Sequence, residues 1–522
     1  MRVPGPANAR ERGRSVAGVA VLIAVGLVTA FLGGCGGNGQ SEFGGADTSG
    51  ASTNAQKFGS VGGTSLSSGG GDGGIPQITC TGGIGAVQCA TTCAGGGDTT
   101  ISGTVTDPAG TNPLYNVTVY VPDPQYPLPN LDAEPIACGC AGLYPTAILA
   151  SAVTDANGHF TITGAPYGTL SLVVQTGKWR MEFDGVNIKS CEANQVDGLR
   201  LPRNTSEGSL PNIAISTGGA DSLECLPLRI GVSASEYVSG SNAGGHIHIY
   251  QGYEGASFQG GSPESNAALW DQQSDLNSHD VVLLSCEGRE TRGGNPGTAM
   301  TAAYQTSLMN YANAGGRVFA SHYHYAWFNT GPFDTGADKL ATWITGSQTI
   351  DDTQSFPSDV DSTLAGGAAF PEGAALGTWL GDVGALTNGQ LPIWFARNNV
   401  SALVQPPSTE WIHLGPSVTA APSATQYFSV DTPIGAGATG ICGRIVYSDL
   451  HVSGGPNTNA PGVPADYAGA TRGGGGTTVP SGCAMHALTP QEDALEFMLF
   501  DLSSCLVSVG SQPMAPPATP PK

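Results

Sequence analysis

The pentapeptide Ser-His-Tyr-His-Tyr, residues 321–325, closes the run "RVFAS" and sets His322 and His324 two positions apart. Side chains alternate across an extended chain, so strand continuing through Tyr325 would project both imidazoles from one face. His451, near the end of "GRIVYSDLHVS" (443–453), supplies a third nitrogen if that late strand lies alongside, with Asp449 nearby. Three protein ligands and a water suit a zinc-type site, which makes His322, His324 and His451 the candidate ligands of a transition metal such as zinc. Two other readings stand beside it: a ligand cleft that needs no metal, or histidines packed against Tyr323, Tyr325 and Trp327.

Nucleophilic chemistry would fall to Ser321 with His451 as its base, or to Cys286 in "DVVLLSCEG" (280–288). A reactive thiol needs a base or a helix N-terminus beside it, and only Glu287 adjoins Cys286 in sequence. A buried free thiol or a disulfide partner is therefore the expectation at Cys286. "GGHIHIY" repeats the two-residue spacing at His246 and His248. The acidic stretch "IDDTQSFPSDVD" (350–361) lacks the spacing and glycine of a calcium loop and reads as solvated. Trp327, Phe328 and Phe333 would form a carbohydrate platform if exposed, and core or rim if not.

Positioning these groups requires a sheet. "PLRIGVSAS" (227–235) and "DVVLLSCEG" are nearly continuous apolar runs, as expected of parallel strands covered on both faces. "TAAYQTSLMNYANAGG" places Tyr304, Leu308 and Tyr311 at helical spacing and stops at Gly315, before "RVFAS" returns to strand. This alternation predicts an α/β domain over residues 221–507, three-layered with a mainly parallel sheet. Its last helix begins with a capping box, Thr489 as N-cap, Pro490 as N1 and Glu492 as N3, and presents Leu495, Met498, Leu499 and Leu502 as its buried face. Between 350 and 433 only short β and loop segments are expected.

Residues 99–202 carry a different pattern. "TISGTVTD", "NVTVYVP", "HFTITGAP" and "TLSLVVQT" alternate β-branched residues and end in turn formers, which predicts an antiparallel β-sandwich. Asp155-Ala156-Asn157-Gly158 supplies a tight turn, with Asn and Gly tolerating positive φ. The Asp155, Gly158 and Phe160 pattern resembles the carboxypeptidase-regulatory-like domain, which implies an accessory sandwich without catalytic residues. Cys138, Cys140 and Cys191 are expected to brace it.

"DVVLLSCEG", the helix ending "YANAGGRVFASHYHYAW" and "GRIVYSDLHVS" together resemble the class I glutamine amidotransferase-like fold, with the trehalose-utilisation-like proteins nearest in pattern. The resemblance implies a nucleophilic Cys at a sharp turn after the strand matched by "RVFAS". This chain has Ser321 and His322 there. It also implies a His-Pro-Glu run where this chain has His451, Val452 and Ser453. Two of the three catalytic elements depart, so glutaminase activity is not expected.

The chain has 522 residues, 11% charged residues and a formal net charge of -22, which excludes a basic surface for nucleic acid. Arg2, Arg10, Arg12 and Arg14 precede an apolar run ending Leu-Gly-Gly-Cys at Cys35. That pattern resembles a bacterial lipobox, implying a signal peptide over 1–34 and diacylglyceryl transfer to the Cys35 thiol. Gly36 in place of Asp implies an outer-membrane or cell-surface lipoprotein held to the membrane by its lipid. Residues 35–98 read as a Gly/Ser-rich tether and 508–522 as a disordered Pro-rich tail. Twelve cysteines in an exported chain favour disulfides; lipidation of Cys35 leaves an odd number, so one thiol stays free or pairs between molecules. The expected function is a non-catalytic ligand- or partner-binding role, with a cleft lined by Cys286, Ser321, His322, His324 and His451. The alternative is a hydrolase, metal-assisted through the three histidines or covalent through Ser321 or Cys286.

Overall fold

Short apolar runs closed by glycine, proline or aspartate form most of the strands of this chain, and several sheets result, some antiparallel and some mixed. The computed structural model describes residues 83–84, 86–89, 93–259, 261–290, 301–453 and 478–518. The expected signal peptide, Cys35 and most of the expected tether lie outside the described residues. Among the described residues no helix is long and apolar enough to cross a membrane.

The alternation read in the first half is observed as alternating burial. Thr100–Thr106 buries every second residue, and His159–Thr163 does the same. These two strands pair antiparallel, whereas Thr100–Thr106 pairs in parallel with Ala193–Arg200, so that three-stranded sheet is mixed. A seven-stranded sheet built on Thr118–Pro122, Ile148–Val153, Tyr167–Thr176 and Trp179–Ile188 is antiparallel throughout. In the Asp155–Gly158 turn, Asn157 and His159 donate backbone N–H bonds to Asp155 Oδ1, both at 2.9 Å. Gly158 alone takes positive φ, at 72°, and a Cβ there would meet the Val105 carbonyl at 2.7 Å.

The second half builds a ten-stranded sheet. Its order is Tyr237–Ser239, Ile247–Gln251, Ile213–Thr217, Val281–Leu284, Arg317–Ser321, Gly443–Ser448, Thr425–Thr432, Thr409–Leu414, Ser355–Val360 and Leu391–Trp394. The first six are parallel and the last four join antiparallel. The strand beside Val281–Leu284 is "IAIST", not the expected "PLRIGVSAS". Residues Leu226–Arg229 form a short helix with Pro227 in its first turn, and Ala234–Glu236 a 3-10 turn. Proline lacks the N–H that a central strand must donate, which disqualifies that run. The stretch expected to hold only short segments contains the helix Pro371–Asp382, whose Gly373, Gly377 and Gly381 lower its apparent helix propensity.

Helix Ala302–Asn313 starts where Thr301 accepts the Tyr304 N–H at 3.3 Å and buries Leu308 and Tyr311. Helix Pro490–Ser503 has its capping box in place. That helix was expected to be one-faced, yet every residue from Gln491 to Leu502 is buried. Asn112 of the first half donates to Glu496 at 2.6 Å, and Arg444 of the large sheet donates to Asp501 at 2.9 Å. The helix touches both halves, and one apolar core runs through Ile101, Phe497 and Leu283.

Four disulfides join described cysteines: Cys93–Cys191, Cys138–Cys442, Cys140–Cys505 and Cys225–Cys483. Cys191 braces the first half, as expected. Cys138 and Cys140 instead tie it to the last parallel strand and to the segment after the final helix. Residues 508–518 pack down, with Ser151 donating to the Pro516 carbonyl at 2.6 Å, where a disordered tail was expected.

Candidate functional site

Register decides where the chemistry collects. Ser216 faces Leu284, Leu284 faces Ala320, and Ser321 faces Ser448. Four parallel strands therefore end level, and their C-terminal extensions carry Asp221, Cys286, His322 and His451 to one edge of the sheet. Strand ends of this kind build ligand sites in open α/β sheets. The Gly218 Cα approaches so closely that a Cβ would lie 2.2 Å from the Cys286 carbonyl, which lets the first extension cross the second.

The strand does not continue through Tyr325. At His322 φ is +38°, and residues His322–Trp327 wind into a 3-10 turn. The two-residue alternation that would place His322 and His324 on one face is lost. His324 points elsewhere, its Nε2 2.8 Å from the Ser285 carbonyl and its Nδ1 accepting from Trp327 Nε1 at 3.2 Å. Both nitrogens are engaged, and burial lowers its pKa to about 4.

Cys286 takes the place expected for His324. Its Sγ lies 3.5 Å from His322 Nδ1 and 3.4 Å from His451 Nε2, and those two nitrogens are 2.9 Å apart. The three side chains are buried and form a group of donor atoms that could hold a metal ion. Among the described cysteines Cys286 is the free one. The Gly288 N–H donates to its sulfur at 3.4 Å. Burial pushes the thiol up to about 12 and His322 down to about 3. Burial, then His322 and the Arg397 charge, holds His451 well below the ordinary imidazole range. All three are neutral at neutral pH, and a neutral, fully buried thiol is a poor nucleophile.

Ser321 is spent on structure. Its Oγ donates to Asp221 Oδ2 at 2.9 Å and accepts the Cys286 N–H at 3.0 Å. Asp221 also accepts the Val452 N–H at 2.9 Å, the Ser453 N–H at 2.8 Å and the Ser453 hydroxyl at 2.7 Å. It thus pins the His451 loop to the end of the Ser321 strand. Nothing in local sequence marked Asp221, although the Gly218-Gly219 pair after "IAIST" flags a chain reversal there. Asp449 is a clamp as well, accepting N–H bonds from Asn399 at 2.6 Å and Val400 at 3.0 Å, and burial raises it to about 6.

A cleft of about 320 Å³ opens beside His451, lined by Tyr253, Glu287, Arg289, Asp352, Phe395 and Arg397 among others. The Phe395 ring stacks on His451 with centroids 6.1 Å apart. Arg397 pairs with Asp352 at 2.5 Å, and the Arg289 guanidinium sits 3.2 Å over the Tyr253 ring. Glu287 accepts from Asn266 at 2.7 Å and from the Tyr253 N–H at 3.1 Å, and burial raises it to about 7.

The remaining candidates do not join this group. His246 Nδ1 faces Glu236 at 3.1 Å, and His248 Nδ1 faces the Gly240 carbonyl at 2.9 Å. Asp361, from the acidic stretch, approaches His413 Nδ1 at 3.4 Å with Glu410 beside them. Trp327, Phe328 and Phe333 are buried, with Trp327 edge-on to Trp270 at 5.1 Å, so they are core and offer no sugar platform.

No family model matches the chain, and no curated protein matches it. Solved structures similar to parts of it include two interface mutants of a type II cohesin–X-dockerin complex from Acetivibrio cellulolyticus. They are 15% and 14% identical, each over 28% of this chain and over 78% and 88% of theirs, with TM-scores of 0.15 and 0.16. A 9R-lipoxygenase from Cyanothece PCC8801 is 17% identical over 23% of this chain and 19% of its own, with a TM-score of 0.14. Scores this low carry no argument about fold or function.

Proposed function

We propose that this chain is an exported lipoprotein, anchored at Cys35 in the outer membrane or at the cell surface, that binds a small charge-bearing molecule in the cleft beside His451. In this reading residues 99–202 are an accessory carboxypeptidase-regulatory-like sandwich. Residues 221–507 are an amidotransferase-like three-layer domain that has lost its covalent nucleophile. The observation that carries the reading is the convergence of Cys286, His322 and His451 at the C-terminal edge of the parallel strands, next to a cleft with fixed charges of both signs. Covalent catalysis is disfavoured because Ser321 Oγ is committed to Asp221 and the Cys286 thiol is neutral and fully buried.

Two measurements test it. Replacing Cys35 by Ser is expected to move the protein from the membrane fraction to the soluble fraction; retention in the membrane would refute lipid anchoring. A thermal-shift screen of amino acids, sugar acids and short peptides is expected to find compounds that raise Tm in the wild type and not in Arg289→Ala. A bound ligand at a hundred times its Kd adds about 2.7 kcal/mol to stability, a shift of a few degrees. Hits unaffected by Arg289→Ala would place binding outside this cleft.

A further inference from the structure

We propose that Cys286, His322 and His451 together hold one thiophilic divalent transition-metal ion, zinc first, with a fourth coordination position open toward the cleft. The inference deepens the reading above by naming a cofactor for the same cleft, and it rests on that reading only for what would occupy the open position.

Distances make the first argument. Zinc–sulfur and zinc–nitrogen bonds of about 2.3 Å and 2.0–2.1 Å at tetrahedral angles put sulfur and nitrogen about 3.6 Å apart, and two nitrogens about 3.3 Å apart. The observed edges are 3.4 Å and 3.5 Å for sulfur to nitrogen and 2.9 Å for nitrogen to nitrogen. Two edges match within about 0.2 Å, and the third needs the imidazoles to part by a few tenths of an ångström, a side-chain adjustment well within packing tolerance.

Proton placement makes the second. His322 Nε2 lies 3.1 Å from the Ser347 carbonyl, which only accepts, so Nε2 carries the hydrogen and Nδ1 presents its lone pair to the cluster. A backbone carbonyl that fixes the tautomer of a ligating histidine is the usual outer support of such a site. Without an ion, the 2.9 Å contact requires a proton on His451 Nε2; with one, that proton sits on Nδ1 and three electron-pair donors converge. The Gly288 N–H aimed at Sγ supports the charge of a thiolate ligand.

Cysteine chemistry makes the third. Cys286 stays single although the other described cysteines are in disulfides. A buried thiol between two imidazoles, where the other described cysteines are oxidised, has coordination as its clearest use. Binding breaks the Cys286 S–H bond, forms the metal–sulfur bond and releases one proton to solvent, with no change of oxidation state.

The test is metal analysis of the full chain purified without chelator, followed by replacement with cobalt(II). About one zinc per chain is expected, and the cobalt form should show thiolate-to-metal charge transfer with tetrahedral d–d bands. Cys286→Ser should abolish the charge-transfer band. His324→Gln should keep both metal and spectrum, which separates this ligand set from one using His324. A folded wild type that takes up neither zinc nor cobalt overturns the proposal whether or not any variant folds. A charge-transfer band surviving in Cys286→Ser also overturns it. Ligand binding in the cleft by a chain that takes up neither zinc nor cobalt would keep the cleft reading and overturn this one. Stoichiometric metal with no cleft ligand would support the metal site and count against the cleft.

Discussion

Asp221→Ala should loosen the site without touching any of the three converging side chains. The carboxylate accepts two backbone N–H groups from the His451 loop, Val452 and Ser453, a third from Ser222 at 3.1 Å, and two hydroxyls, from Ser321 and Ser453. Hydroxyls can rotate toward other acceptors, and the Ser222 N–H also reaches Ser453 Oγ at 2.9 Å; the Val452 and Ser453 amides are fixed by the chain. Each buried donor left unsatisfied costs about 1–3 kcal/mol, so the amides alone account for about 2–6 kcal/mol. Burial raises the Asp221 pKa despite those bonds, so removing the carboxyl also relieves a desolvation cost that offsets part of the loss. The expected net destabilisation is about 3 kcal/mol, concentrated at the His451 loop. Hydrogen exchange by mass spectrometry on a peptide covering 449–453 reads it locally, where a global midpoint could blur a multi-part chain. Exchange there should accelerate by about a hundredfold, one factor of ten per 1.4 kcal/mol. Asp221→Asn retains one acceptor oxygen but turns an NH₂ toward donors, and should recover less than half of the loss. If Asp221→Ala leaves exchange at 449–453 within about threefold of wild type, the carboxylate is not the clamp described.

Converting Cys140 and Cys505 to Ser should lower stability by about 4 kcal/mol, because with Cys138–Cys442 still closed the bridge constrains a loop of several tens of residues in the unfolded chain; a change in unfolding free energy from denaturant titration under about 1 kcal/mol would contradict this. Arg444 is fully buried with Asp431 at 2.7 Å, Asp501 at 2.9 Å and Glu372 at 3.4 Å, so Arg444→Ala should cost about 3–5 kcal/mol by leaving buried carboxylates uncompensated, read as a lower urea midpoint. For pH, His324 titrates near 6.5 when unfolded and about 4 when folded, so its contribution is present above 6.5 and is lost as pH falls toward 4. Asp493, raised by burial to about 7, has the opposite sign: its contribution is present below about 4 and is lost as pH rises toward 7. The two windows overlap with opposite slopes, so urea midpoints between about pH 4 and 6.5 should rise less steeply with pH in His324→Gln and more steeply in Asp493→Asn than in the wild type; unchanged slopes would refute both assignments.

Local chemistry was legible in the sequence wherever one element suffices to express it. The capping box at Thr489, the helix closing before Gly315 and the turn at Gly158 each depend on a few neighbouring residues, and each is present. Cys286, Ser321, His322 and His451 could be picked out because each ends an apolar run, and a strand end is visible in composition. Tertiary structure decided which of them meet. Parallel register levels the ends of strands that are distant in sequence, so Cys286 and His451, 165 positions apart, come within 3.4 Å. A left-handed residue at His322 turns His324 away and hands its place to a cysteine, which no two-residue periodicity encodes. Asp221, the partners of Cys138 and Cys140, and the buried acids of the last helix follow the same logic. Their partners come from other elements, and a hydrogen bond or disulfide across elements leaves no period in the chain for the sequence to display.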